Sequence, residues 1–212
     1  MTEAGGLTVA ERASLVSGLR RLASRAGGAG APLERCDLCA VEIPDDHRHL
    51  LHVDERRIVC VCQPCFFLLA GQGAYRPSGA RTVWLPDLVL PEELWRGFRI
   101  PIGLAILFRS SATGGIVALY PSPAGATESE LELEAWEELI AANPILESLE
   151  ADSEALIVNR LADPPAYAIA PIDQCYRLVG LIRSSWRGLS GGREVAEAVE
   201  TFFAGLAREG AS

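Results

Sequence analysis

The chain contains no lysine; arginine supplies its entire count of 19 basic residues. That excludes a Schiff-base lysine and the lysine of a phosphate-binding loop. Methionine occurs once and histidine three times in 212 residues. No apolar run reaches the roughly 18 residues needed to cross a bilayer. The longest candidate, IPIGLAILFRSSATGGIVALY, is broken by Arg109 and a Ser-Ser-Ala-Thr-Gly-Gly turn. The N-terminus MTEAGGLTVAERASLVSGLRRL has no apolar signal core and no cleavage-site pattern, so no membrane insertion and a cytoplasmic location are expected. Cysteines stay reduced there, and clustered ones point to metal or redox chemistry rather than disulfides.

Positive charge is also short. Through Arg109 there are 13 arginines against 12 acids; from Ser110 onward there are 6 against 16. A chain with this acidic excess repels phosphate backbones, so nucleic acid is not an expected partner.

Against that scarcity one segment is crowded. HRHLLHVDERRIVCVCQPCFFLLA, from His47 to Ala70, holds all three histidines and three of the six cysteines. Upstream lies CDLC, Cys36 to Cys39. Cys36-x2-Cys39 and Cys62-x2-Cys65 are separated by 22 residues, slightly more than the usual gap of about 15–20 between paired zinc ligands. The x2 spacing lets both sulfurs of a pair reach one ion around a tight turn, and two pairs complete a tetrahedron. Pro64 suits a first helical turn, and a helix N-terminus stabilises thiolate. A knuckle, a hairpin and a helix bearing the last two ligands is the treble-clef or zinc-ribbon plan.

The expected metal is Zn2+, held by Cys36, Cys39, Cys62 and Cys65. Iron in a rubredoxin-type site is the alternative, although the glycine that usually follows each knuckle is replaced by Ala40 and Phe66. In a strand IVCVC, Cys60 and Cys62 face one side. Cys60 can then replace Cys62, sit behind the ligands, or pack as core. His47 and His49 share a strand face, with His52 on the other; they are open as ligands, as hydrogen-bond donors to thiolates, or as solvated residues. A DDH triplet after the first knuckle resembles the start of an HNH nuclease finger, but FFLLA stands where that family needs a further His or Asn. Cys175 sits in a helical stretch, DQCYRLVGL, with no histidine near it in sequence, and is expected as core.

Around this module the chain divides into four parts. Residues 1–32 read as a helix near Val9 to Arg25 and a flexible linker, 33–70 as the metal module, 71–99 as an irregular connector with one short helical turn after Pro91, and 100–212 as an α+β domain. The last contains two hairpins, IGLAILFR/GIVALYP and EALIVNR/AYAIAP, each followed by a helix. Thr127 and Glu130 have capping-box spacing for the first helix, with acidic residues crowding its start; Asp173 caps the second. A final amphipathic helix carries Val195, Val199, Phe202, Phe203 and Leu206. The fold class is α+β: an antiparallel sheet covered by helices, with a strand-strand-helix duplication.

Three motifs together resemble a bacterial family of uncharacterised proteins whose genes sit beside those of nickel–iron hydrogenases. They are RCDLC…DDHRHLLHVDERRIVCVCQPC, RIPIGLAILFRSSATGGIVALYPSPAGATESELELEAWEELIAANP and YAIAPIDQCYRLVGLIRSSWRG. The resemblance runs from about Arg35 to Leu206. It implies an accessory role with a hydrogenase subunit or maturation factor as partner; it does not imply a particular reaction. The family's cysteines fall on Cys36, Cys39, Cys60, Cys62 and Cys65, which leaves the fourth ligand open. A full set of four thiolates without an acid–base cluster favours binding over catalysis.

Overall fold

The computed structural model describes residues 34–122, 125–129, 131, 133–186 and 192–211. The helix and linker expected before residue 33 lie outside them. Arg35–Ser212 form one compact unit.

A small antiparallel sheet comes first. β1 (Arg48–His52) and β2 (Arg57–Val61) form a hairpin, and β3 (Tyr75–Pro77) joins the other edge of β1. Leu50 faces Val59 and Leu51 faces Ile58 across the hairpin. Side chains alternate between faces. Leu50, Val59 and Val61 therefore bury with Cys36 and Ile43 in a small core, whereas Leu51 joins the larger one and Ile58 packs against it. Helix α1 (Gln63–Leu69) follows β2 directly, with Pro64 in its first turn.

The large sheet is antiparallel and six-stranded, in the order β4-β9-β8-β5-β6-β7. Its strands are β4 (Val83–Trp84), β5 (Leu104–Ser110), β6 (Gly115–Ser122), β7 (Gly125–Ser129), β8 (Glu154–Asn159) and β9 (Ala166–Pro171). Helices cover both faces. Alternate residues Ile106, Phe108, Ile157 and Ala168 pack under α4 (Ile172–Ser185) and α5 (Gly192–Gly210). Ala105, Leu107, Leu156 and Ile169 pack under α2 (Glu92–Gly97), α3 (Leu133–Ala142) and a 3-10 turn, Pro144–Ser148. Every residue of β8 and β9 is buried, which explains apolar runs without alternation. Each fully buried Leu, Ile or Phe contributes about 1.5–3 kcal/mol.

Both expected hairpins are present, as is the apolar face of α5: Val199, Phe202, Phe203 and Leu206 are buried. Three features differ from the sequence reading. Thr127 lies on β7 and pairs with Tyr120 of β6 rather than capping a helix, and Glu130 lies outside the described residues. Gly-Ala-Thr-Glu-Ser satisfies strand alternation as well as a capping box, and the open edge of β6 decides between them. Glu128 is thereby removed from the acidic helix start and pairs instead with Arg56. The segment 71–99 carries the short strands β3 and β4 where irregular chain was expected, while α2 is the helical turn expected after Pro91. The two strand-strand-helix halves diverge as well, because α3 and α4 lie on opposite faces of the sheet.

The connector is tied to the large sheet by polar contacts. Gly79 N–H donates to the Ser153 carbonyl at 2.8 Å, and a Cβ at Gly79 would meet that oxygen at 2.9 Å. Asn143, buried at the end of α3, accepts from Val89 N–H and donates to the carbonyls of Val89 and Leu139. It thus takes up the polar groups of the loop before α2.

Candidate metal centre

Cys36 to Cys39 form a tight turn closed by Ala40 N–H donating to the Cys36 carbonyl at 2.8 Å. Ala40 adopts φ of 60°, the left-handed conformation that glycine usually supplies. Asp37 clamps this turn to β2. Its N–H donates to the Cys60 carbonyl at 2.9 Å, and its carboxylate accepts the Cys60 N–H at 2.7 Å. On the other side of the site, Cys62 is the N-cap of α1 and Cys65 lies in its first turn.

These two turns bring four sulfurs together. The Sγ atoms of Cys36, Cys39, Cys62 and Cys65 all lie within 4.8 Å of one another, and Cys39 and Cys62 are 3.6 Å apart. A tetrahedron of thiolates at the usual zinc–sulfur distance has edges of about 3.8 Å. A disulfide needs about 2.05 Å, and all six cysteines are free. Ile43, Leu50, Val59 and Val61 bury one side of the cluster, with Phe66 and Leu69 packed against it. The donor set therefore fits a closed, sulfur-only metal site.

Proton affinities within the cluster are split. Burial opposes the Cys36 thiolate, but backbone hydrogen bonds from Cys62, Leu38 and Cys39 outweigh it and lower its pKa to about 6. Cys65 is pushed up to about 12, chiefly by its hydrogen bond with Cys62. Cys39 is also raised: its hydrogen bond with the Val41 backbone opposes the shift, but those with Cys36 and Cys62 together prevail. Thiols this close share protons, because several thiolates together repel unless a cation sits among them.

Cys60 is not part of this group. The strand ends at Val61, so Cys62 leaves the alternation and joins the four-cysteine cluster, while the Cys60 sulfur groups with His47 and His49. The expectation that the two face one side is corrected on that ground. Cys60 is instead brought to His47 and His49, directly opposite His49 in the β1–β2 register. His52 stands apart from them and packs edge-on against Tyr75. Cys175 is 1% exposed, as the core reading expects, and burial raises its thiol pKa far above the usual value.

One participant had no local signal. Asp173, in the first turn of α4, accepts the Ser78 hydroxyl at 2.7 Å and lies 2.7 Å from His49 Nδ1. Burial disfavours its charge, but hydrogen bonds from His49 and Ser78 hold its carboxyl below the usual carboxylate range. The Asp173 N–H donates back to Ser78 Oγ. Asp173 is not the cap that the sequence suggested: the N-cap position of α4 is Pro171, whose side chain makes no capping hydrogen bond, and Asp173 lies in the first turn.

Residues 35–210 match the model of DUF5947, a family of unknown function. The chain belongs to the DUF5947 family. No curated protein and no solved structure matches it. The DUF5947 match spans both the four-cysteine cluster and the six-stranded sheet. Among the described residues, no helix is long and apolar enough to cross a membrane.

Proposed function

We propose that this DUF5947 protein is a zinc-binding accessory protein that acts by protein–protein contact in the cytoplasm, with a nickel–iron hydrogenase subunit or maturation factor as partner. The carrying observation is the convergence of four cysteine sulfurs, from two separate turns, at the spacing of a tetrahedral thiolate site. Knuckle, β1–β2 hairpin and α1 follow the order of a treble clef. Zinc in such a site is a staple: four protein ligands leave no position for substrate. The partner assignment rests on the three-motif resemblance. A contact surface is at hand beside the site, since Phe67 and Leu68 on α1 are 73% and 72% exposed.

Two measurements test this. Elemental analysis of the purified protein should find zinc that Cys36→Ser removes; a red, iron-containing protein would replace zinc by iron and the staple by an electron carrier. Affinity capture against hydrogenase subunits and maturation factors should enrich at least one, and Phe67→Glu with Leu68→Glu should abolish that capture. Enrichment of none would overturn the partner.

A further inference from the structure

We infer that His47, His49 and Cys60 form a second metal site, separate from the four-cysteine centre, for one divalent transition-metal ion of borderline softness such as Zn2+, Co2+ or Ni2+. The inference stands independently of the zinc staple.

Their ligand atoms lie within 4.8 Å of one another. The small sheet makes this convergence unavoidable. His49 and Cys60 are directly paired across β1 and β2, and His47 lies two residues before His49. His49 and Cys60 thus share one strand face, and His47, just before β1, joins them with its ring 4.6 Å from that of His49. Strand β2 serves both centres, giving Cys60 to one and, just past its end, Cys62 to the other.

Each imidazole is tied through Nδ1 to an oxygen acceptor. His47 Nδ1 lies 2.8 Å from the Pro44 carbonyl oxygen. A carbonyl only accepts, so this nitrogen carries the proton. His49 Nδ1 lies 2.7 Å from Asp173 Oδ2. With Nδ1–H donating on both rings, each neutral imidazole meets a metal through Nε2. A carboxylate or carbonyl behind the ring is the usual companion of a metal-bound histidine, fixing its tautomer and raising its basicity. Asp173 is fixed in turn by Ser78 Oγ and by the Gln174 N–H at 2.9 Å. The chain thus carries a supported carboxylate–histidine pair directly opposite a cysteine in the strand register.

Two imidazoles and one thiolate suit ions of intermediate softness. Three protein ligands are one short of a tetrahedron, so water or an external ligand completes the shell. This is the donor pattern of a reactive or exchangeable ion. The four-cysteine centre is closed, and the two sites divide structural from exchangeable metal.

The test uses the full chain, stripped of metal under reducing conditions and titrated with Co2+, whose d–d and thiolate charge-transfer bands report ligation. Two equivalents are expected, the His47–His49–Cys60 one with weaker charge transfer because it has one sulfur. His49→Ala and Cys60→Ala should each lose that equivalent and keep the sulfur-rich one; if one variant fails to fold by circular dichroism, the other decides. Asp173→Asn, a positioning change, should weaken the same ion about 10- to 100-fold and shift its d–d bands, leaving the sulfur-rich bands unmoved. A single equivalent that survives Cys36→Ser and disappears in His49→Ala would keep this site and sink the four-cysteine reading. A single equivalent that survives His49→Ala and disappears in Cys36→Ser would overturn the present inference. So would a second equivalent unchanged in both His49→Ala and Cys60→Ala.

Discussion

Arg81 forks onto Glu154. Its Nε lies 2.7 Å from one carboxylate oxygen and its Nη2 lies 2.9 Å from the other. Glu154 is 2% exposed and opens β8, so the connector between the metal module and the large sheet is anchored to a central strand through a buried charge. Nη2 also donates to the Ser148 carbonyl at 2.8 Å, which brings the 3-10 turn into the same contact.

Removing the arginine leaves that carboxylate buried with one backbone donor, Glu150 N–H at 3.2 Å. Glu154 is buried but the Arg81 side chain is 41% exposed, so Arg81→Met should cost about 1–2 kcal/mol, less than stranding one half of a fully buried pair. Urea unfolding measures it. The double change Arg81→Met with Glu154→Leu should recover most of the loss, since an apolar pair of similar size carries no desolvation penalty. A loss below about 0.5 kcal/mol in the single variant would mean that water reaches Glu154 and the fork contributes little.

Ala40 offers a sharper local test. Its φ of 60° strains a residue with a Cβ, and its side chain is exposed, so the methyl group contributes little packing. Ala40→Gly should stabilise the fold by about 0.5–1 kcal/mol, because relief of strain exceeds the added freedom of the unfolded chain. The denaturation midpoint reads this directly. A lower midpoint would show that the methyl packs against something after all.

The same residue shows what sequence reasoning could reach. A missing glycine after the first knuckle counted against an iron site, yet the backbone takes the glycine conformation regardless. The two C-x2-C pairs were legible because each is a local turn, and the hairpins and α5 were legible because their periodicities run over whole elements. Val83–Trp84 and Tyr75–Pro77 were not, since strands of two and three residues have no period; an open sheet edge creates them. Cys62 was set on one strand face with Cys60, but the strand stops at Val61 and alternation stops with it. The His49–Asp173 contact joins positions 124 residues apart and carries no local signature at all.

Cys175 should behave as an inert thiol. Its Sγ faces the Pro171 carbonyl at 3.6 Å, within the core under α4. Burial and then the neighbouring Asp173 charge raise its pKa, and thiolate is the reactive form. Maleimide labelling of the native protein at pH 8, followed by peptide mapping, should find Cys175 modified more than about 100-fold more slowly than in urea. Equal rates in both states would mean that α4 opens readily from the sheet.

Metal uptake by the four cysteines should release protons. Ligation requires thiolate, and the Cys39 and Cys65 thiols are both raised, Cys65 to about 12, so both carry protons at neutral pH. Cys36, lowered to about 6, is already ionised above neutrality and releases none there. About two or more protons should therefore leave per ion, and apparent affinity should rise with pH by roughly a hundredfold per unit between pH 7 and 8.5. A chelator-competition titration in the His49→Ala background isolates this site, and a pH indicator in weak buffer counts the protons. Affinity that is flat across that window would mean the ion meets thiolates already formed, and the proton-sharing arrangement of the cluster would have to be abandoned.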